Sequence, residues 1–138
     1  MIAFDVLGTP VTQGSTRAFV VGKRAVVTHD KRRPLMDWRN AIGNAAQQCG
    51  GQKAERGVPV WVRASFRVQR PKSAPKRVVR PTTKPDLDKL GRSLLDALTG
   101  ILWADDSQVV SLQVSKRFAA PNEALGVYVE VLGLEAAS

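Results

Sequence analysis

Residues 84–110 read KPDLDKLGRSLLDALTGILWADDSQVV. Leu87, Leu90, Leu94 and Leu98 recur at spacings of three and four, with Leu95 beside them. That period predicts an amphipathic helix that follows Pro85 and ends at Thr99-Gly100. After Ile101-Leu102-Trp103 comes an Asp105-Asp106 turn. Val110, Leu112 and Val114 then alternate with Ser111, Gln113 and Ser115, the two-residue period of a strand with one buried face. Lys116 falls in phase with that apolar side, so it either snorkels at the strand end or aims its ammonium at a buried anionic site. The same stretch gathers four carboxylates, Asp86, Asp88, Asp105 and Asp106, in a chain whose formal net charge is +9.

Upstream, Ile2, Phe4 and Val6 alternate with Ala3, Asp5 and Leu7 in a short strand that the Gly8-Thr9-Pro10 breaker ends. Gln13 to Arg17 reads as a loop, with Gly14 and Ser15 allowing close backbone approach and Arg17 a candidate phosphate contact. Phe19-Val20-Val21 and Ala25-Val26-Val27 predict a hairpin with a basic tip at Gly22-Lys23-Arg24. Thr28 to Asp30 offers capping oxygens, which also makes His29 a turn or cap residue. Leu35, Trp38, Ile42, Ala45 and Cys49 then form the apolar stripe of a helix ending near Gly50-Gly51, with Trp38 and Cys49 read as core. Val60, Val62, Ala64, Phe66 and Val68 alternate with Trp61, Arg63, Ser65 and Arg67, a strand whose second face is basic. Val127, Val129 and Val131 make the last strand.

The chain has 138 residues, enough for one domain with a core and too few for two comfortable ones. Lys and Arg total 21 against 12 Asp and Glu, which favours a polyanionic partner. The excess is clustered. Between Arg63 and Arg92 there are ten basic residues and two acids. From Gln69 to Lys84 the chain carries Pro71, Pro75 and Pro81, no acid, and the cations Arg70, Lys72, Lys76, Arg77, Arg80 and Lys84. This predicts an extended, mobile basic loop that follows a phosphate backbone. Cys49 and His29 are the lone residues of their kinds, which excludes an intrachain disulfide and leaves zinc or His-based catalysis without ligands. No apolar run approaches the roughly 20 residues that span a bilayer, and no signal-like start is present, so a cytoplasmic protein without a membrane partner is expected.

The four acids have two readings. As structure, Asp86 caps the central helix, Asp88 suits its first turn, Asp105 caps a turn with Gln108 three residues on, and Asp88, Arg92 and Asp96 form a surface ion-pair ladder. As chemistry, Asp86 and Asp88 are hard oxygen ligands, and a helix with a short return brings Asp106, with Asp105, back to them. An all-oxygen site suits Mg²⁺ or Mn²⁺, which activates a water and stabilises charge during phosphodiester hydrolysis. Lys89, Arg92 and Lys116 then neutralise the scissile phosphate. A non-catalytic nucleic-acid-binding module with structural acids is the rival reading.

The run KPDLDKLGRSLLDAL, followed by a short linker and WADDSQVV, resembles the RusA family of Holliday-junction resolvases of bacteria and their phages; the likeness is densest over Lys84 to Lys116. The resemblance implies a single α+β domain over residues 1–138, a mixed β-sheet packed against two main helices. It also implies a Mg²⁺-dependent homodimer that nicks symmetry-related strands of branched DNA, a four-way Holliday junction. Asp86, Asp88 and Asp106 take the places of the catalytic metal-binding acids, and Asp105 is a supporting acid. The family often has Asn directly after the second Asp and a functional Lys one turn on. Here Lys89 and Arg92 stand at those positions, and Arg92 carries over an electrostatic role only, since an arginine does not give up its proton.

Overall fold

The computed structural model describes residues 1–12, 18–21, 24–27, 32–50 and 52–133. The elements run β1 (Ile2–Leu7), β2 (Ala18–Val21), β3 (Arg24–Val27), α1 (Arg32–Gln48), β4 (Val60–Val68), α2 (Leu87–Leu98), a short 3-10 turn (Asp106–Gln108), β5 (Val109–Phe118) and β6 (Gly126–Leu132). The chain is a single α+β domain: a four-stranded mixed sheet, ordered β1-β6-β4-β5, with both helices packed against it. The hairpin expected in the N-terminal third forms as the antiparallel pair β2–β3. Its tip residues Gly22 and Lys23, the loop Gln13 to Arg17, and the Thr28 to Asp30 caps with His29 lie outside the described residues.

Strand parity builds the core. Phe4 and Val6 of β1 stand opposite Val129 and Val127 of β6, which stand opposite Ala64 and Phe66 of β4, and all are buried. This face receives Trp38, Ile42 and Ala46 from α1 and Leu90, Leu94, Ala97 and Leu98 from α2. A leucine fully buried in this way contributes about 1.5–3 kcal/mol relative to an exposed one. Ser93 is the polar residue on the buried side of α2, and its Oγ lies 2.9 Å from both Leu90 O and Val11 O. Cys49 departs from its expected place. α1 ends at Gln48, so the apolar stripe stops at Ala46 and the exposed Cys49 thiol donates to Ala46 O at 3.0 Å.

β4 and β5 are parallel, and α2 is the crossover between them. The pairing register shifts between Val60 and Trp61, with Val60 opposite Val109 and Trp61 opposite Ser111. Val110 is the extra residue of this bulge, and Val109 takes the inward position instead. Val110 is therefore 58% exposed, where simple alternation placed it in the core.

Arg67 reverses the expectation of an exposed basic face on β4. It is 7% exposed, its guanidinium donates to both Asp5 oxygens at 2.8 and 3.0 Å, and its Nε donates to Ala124 O at 2.9 Å. Gly126 makes room for it: a Cβ there would collide with the Arg67 guanidinium and with Val6 O. Near the end of β5, Arg117 forms a two-pronged pair with Glu123 at 2.6 and 2.7 Å.

Replacing Arg67 by Leu removes charge-assisted bonds and leaves Asp5 and Ala124 O without a donor. Asp5 regains water, so the expected loss is about 2 kcal/mol in urea unfolding. The Arg117 guanidinium, helped by the Ala120 N–H, holds the Glu123 carboxyl down from 4.5 to about 2. Because the folded value is depressed, the stabilisation is present above pH 4.5 and is lost as pH falls through about 2. An NMR titration of the Glu123 carboxyl carbon checks this, and a midpoint near 4.5 would show the pair is not held in solution.

Candidate metal and DNA site

Asp86 is the N-cap residue of α2, in extended backbone with φ −71° and ψ 131°, yet its side chain makes no capping hydrogen bond. The carboxylate is 46% exposed and lies 3.6 Å from the Lys89 ammonium, an ion pair that water screens and that adds little stability. Asp88 sits in the first turn, exposed, with no hydrogen bond or ion pair to any described residue. The open N–H groups of the α2 first turn point into the same space and attract negative charge. Arg92 follows one turn later on the exposed side. The ladder of Asp88, Arg92 and Asp96 does not form among the described residues. Among the described residues Arg92 has no partner, and Asp96 takes part only through its backbone carbonyl, which accepts from Arg39 at 3.4 Å.

Lys116 decides between its two expected roles in an unanticipated way. Its ammonium donates to Thr83 O at 2.7 Å and to Pro85 O at 2.8 Å. It neither snorkels nor meets a carboxylate. It fixes to β5 the backbone that delivers Asp86, and its positive charge stays one residue from that acid.

The other two acids belong to the turn before β5. Asp105 accepts from the Ser107 N–H at 3.0 Å, while Gln108 Oε1 accepts from the backbone of Ala104 and Asp105 at 2.9 Å each, completing a capping box. Bonds from the Ser107 backbone and side chain hold the Asp105 carboxyl below its usual value. The buried Gln108 also donates to Glu55 O at 2.7 Å and Val58 O at 3.0 Å, so one amide ties this turn to the segment before β4. Asp105 thus has the structural role the spacing to Gln108 suggests, and Asp106 is left exposed beside it.

The crossover separates these groups. α2 runs antiparallel to β5: Gly91 packs over Leu112 and Val114, and Lys116 lies at the Asp86 end. Asp106 precedes β5 at the opposite end, where α2 finishes. Twelve residues of helix put the two ends about 18 Å apart. Within one chain the return strand therefore brings Lys116, not Asp106, to Asp86 and Asp88, and among the described residues no three acids stand together.

The basic loop is folded rather than extended. Turns close from Ala74 N to Pro71 O at 3.1 Å and from Val78 N to Pro75 O at 2.9 Å. Arg70 clamps them, donating to Val78 O at 2.7 Å and Pro75 O at 2.8 Å, with its guanidinium carbon 5.3 Å from the centre of the Phe118 ring. Two of its donors are thus used inside the protein. Lys72, Lys76, Arg77, Arg80 and Lys84 remain exposed and unpaired among the described residues. Arg17 lies outside them.

The profile of Endodeoxyribonuclease RusA matches residues 8–131, a span that includes this strand-loop-helix unit. The chain belongs to the RusA endodeoxyribonuclease family. A 30% identical relative, the Uncharacterized protein YqaN of Bacillus subtilis (strain 168), aligns with 86% of this chain and 88% of its own length. RusA nucleases are metal-dependent and act on DNA. The donor set here fits a hard cation, because Asp86 and Asp88 are exposed, neither is consumed by capping, and Mg²⁺ is commonly held by one or two carboxylates plus water and phosphate oxygens.

Sequence reasoning missed Arg67, whose position in a strand looks solvent-facing, and the clamp made by Arg70, which only the folded loop reveals. Replacing Lys116 by Met is expected to free the Thr83 and Pro85 carbonyls and cost about 1–3 kcal/mol. Hydrogen exchange across residues 83–90 checks it, with faster exchange at the start of α2 and unchanged exchange in β6.

Proposed function

We propose that this chain is a divalent-cation-dependent DNA endonuclease that resolves four-way Holliday junctions by paired symmetric nicks in recombination and repair. The observation that supports this most is the pair Asp86 and Asp88 at the start of α2, neither used as a side-chain cap, in a chain whose Lys72, Lys76, Arg77, Arg80 and Lys84 have no partner among the described residues. Asp86, Asp88 and Asp106 are the proposed metal-binding acids. When bound, Mg²⁺ or Mn²⁺ supplies a polarised water and neutralises charge on the phosphodiester. Asp86 and Asp88 would hold that cation at the mouth of the helix. In hydrolysis the water oxygen would bond to phosphorus as one P–O ester bond breaks, the water's proton passing to solvent while negative charge grows on the departing oxygen. Lys89 and Arg92 lie on the same turn of α2 and face that charge, and Lys116 keeps the Asp86 backbone in place.

The cations Lys72, Lys76, Arg77, Arg80 and Lys84 extend the positive surface away from the acids along the turns from residue 71 to residue 84. They contact backbone phosphates and carry no base code, as suits selection of DNA by branch geometry. A four-way junction has two-fold symmetry, and a symmetric dimer presents two sites to it.

Asp88→Asn is expected to abolish Mg²⁺-dependent nicking of a labelled synthetic junction while binding stays intact or tightens. Near wild-type cleavage would remove Asp88 from the site. Binding with no nicking by the wild-type chain in Mg²⁺ or Mn²⁺ would instead favour the non-catalytic module. Replacing Lys72, Lys76, Arg77 and Arg80 together by Ala should weaken binding to all DNA sequences and flatten the slope of log affinity against log salt by up to about 4.

A further inference from the structure

We infer that the open face of the sheet is a second nucleic-acid surface, which takes an unpaired strand by stacking its bases on Trp61 and Tyr128. This does not rest on the metal-site reading, because α2 and its acids are packed on the other side of the sheet.

The first observation is which side of the sheet is left uncovered. Both helices pack on one side, where Val60, Val62, Ala64 and Phe66 of β4 and Val127, Val129 and Val131 of β6 are buried. Strand alternation sends the intervening residues to the other side. There Trp61 is 43% exposed and Tyr128 is 42% exposed. β4 and β6 are the two central strands in the order β1-β6-β4-β5, so both rings stand in the middle of the sheet rather than at its rim. Aromatic side chains on an open four-stranded sheet are a recurrent platform on which single strands stack their bases.

The second observation is the room around the rings and the distance between them. Trp61 stands opposite Ser111 of β5 and Leu132 of β6, and Tyr128 stands between Asp5 of β1 and Ser65 of β4. A serine beside each ring leaves that flank low enough for a flat ligand. Neither the Trp61 indole N–H nor the Tyr128 hydroxyl bonds to a described residue, so both polar ends are available to a base edge or a sugar oxygen. Tyr128 faces Ser65, four residues along β4 from Trp61, which sets the rings about 13 Å apart along the strand. A strand stacked as in a duplex advances about 3.4 Å per nucleotide and needs about four steps to cover that span, whereas an unstacked, extended strand covers it in about two. Arg63 lies midway, and its Nε donates to Gln113 Oε1 at 3.2 Å, which holds a guanidinium on this face between the two rings.

The third observation is charge. Asp5 is paired with Arg67, and Glu130 stands opposite Arg63, so the face presents no unbalanced acid to a phosphate. It also lacks the row of free cations that the loop from residue 71 to residue 84 carries. Recognition here comes from the bases, while the net charge of +9 draws the strand toward the chain.

Tryptophan emission tests the inference. Trp38 and Trp103 are buried, so a base stacked on an indole quenches Trp61. A short oligothymidylate should quench the full chain. An abasic strand of the same length carries the same phosphates without bases; it should leave the emission unchanged and bind at least about tenfold more weakly. Both strands release the same counterions, so that ratio should hold as salt is raised although both affinities fall. In anisotropy of labelled strands, Trp61→Ala and Tyr128→Ala should each weaken oligothymidylate binding at least about fivefold and leave abasic binding unchanged, and Trp61→Phe should recover most of the loss. Should an alanine variant misfold by circular dichroism, Trp61→Leu or Tyr128→Leu takes its place, keeping an apolar contact without the ring. Equal affinity for the two strands overturns the inference, as do folded variants that bind oligothymidylate like wild type. Folded variants that keep that affinity and move toward monomer in sedimentation overturn it in favour of a face buried between copies. Oligouridylate of the same length identifies the strand: tighter binding than oligothymidylate assigns the face to RNA, and equal or weaker binding assigns it to unpaired DNA. Nicking is read at no step, so failure of the nuclease reading leaves the result intact.

Discussion

Two parallel neighbouring strands cannot be joined by a tight turn; the chain between them has to travel back along the whole sheet. β4 and β5 are such a pair, and α2 is the return path, clamped by a leucine stripe against the inward faces of both strands. Everything of functional interest hangs from this crossover. Its start presents Asp86 and Asp88 at the mouth of a helix, its end delivers the turn that carries Asp106, and its length keeps the two groups apart. The basic loop is the connection that feeds it.

The polar groups around the crossover serve to hold its two ends in place. At the start, Lys116 binds the carbonyls of Thr83 and Pro85, so a lysine in the apolar phase of β5 is satisfied by backbone rather than by an acid. At the end, Gln108 satisfies two N–H groups and two carbonyls from separate segments, and Asp105 closes the cap. Asp86, Asp88 and Asp106 are left out of both arrangements. The fold thus spends Asp105, Gln108, Arg67, Arg70 and Lys116 on its own backbone and carboxylates, whereas Asp88 and a row of cations have no partner among the described residues.

Much of the architecture was legible before any coordinates. Two-residue alternation marked β1, β4 and β6, the three-and-four spacing marked both helices, and the Asp105 to Gln108 interval announced a capped turn, because each of these is a local rule that the backbone obeys within a few residues. Local rules failed where a neighbour far along the chain intervened. Cys49 fits a helical stripe but falls past the last turn of α1. Val110 fits an alternation that a bulge interrupts. Arg67 reads as solvent-facing until Asp5 and Ala124 come to meet it, and Arg70 reads as a free loop cation until the loop folds back and takes two of its donors.

For the site, the amino-acid sequence by itself determined the chemistry. The lack of a histidine pair or a second cysteine left carboxylates as the candidate ligands, the helix period put Asp86 and Asp88 at one end of α2, and the dense motif from Lys84 to Lys116 carried the family resemblance. Only the tertiary structure decided which of those residues can meet. Spacing along a chain does not record strand direction, and the expectation that a short return brings Asp106 back to Asp86 assumed a reversal that a parallel pair does not make. The strand that returns carries Asp106 at its far end and Lys116 at its near one, because direction is set by hydrogen bonding between β4 and β5, which lie some fifty residues apart in sequence.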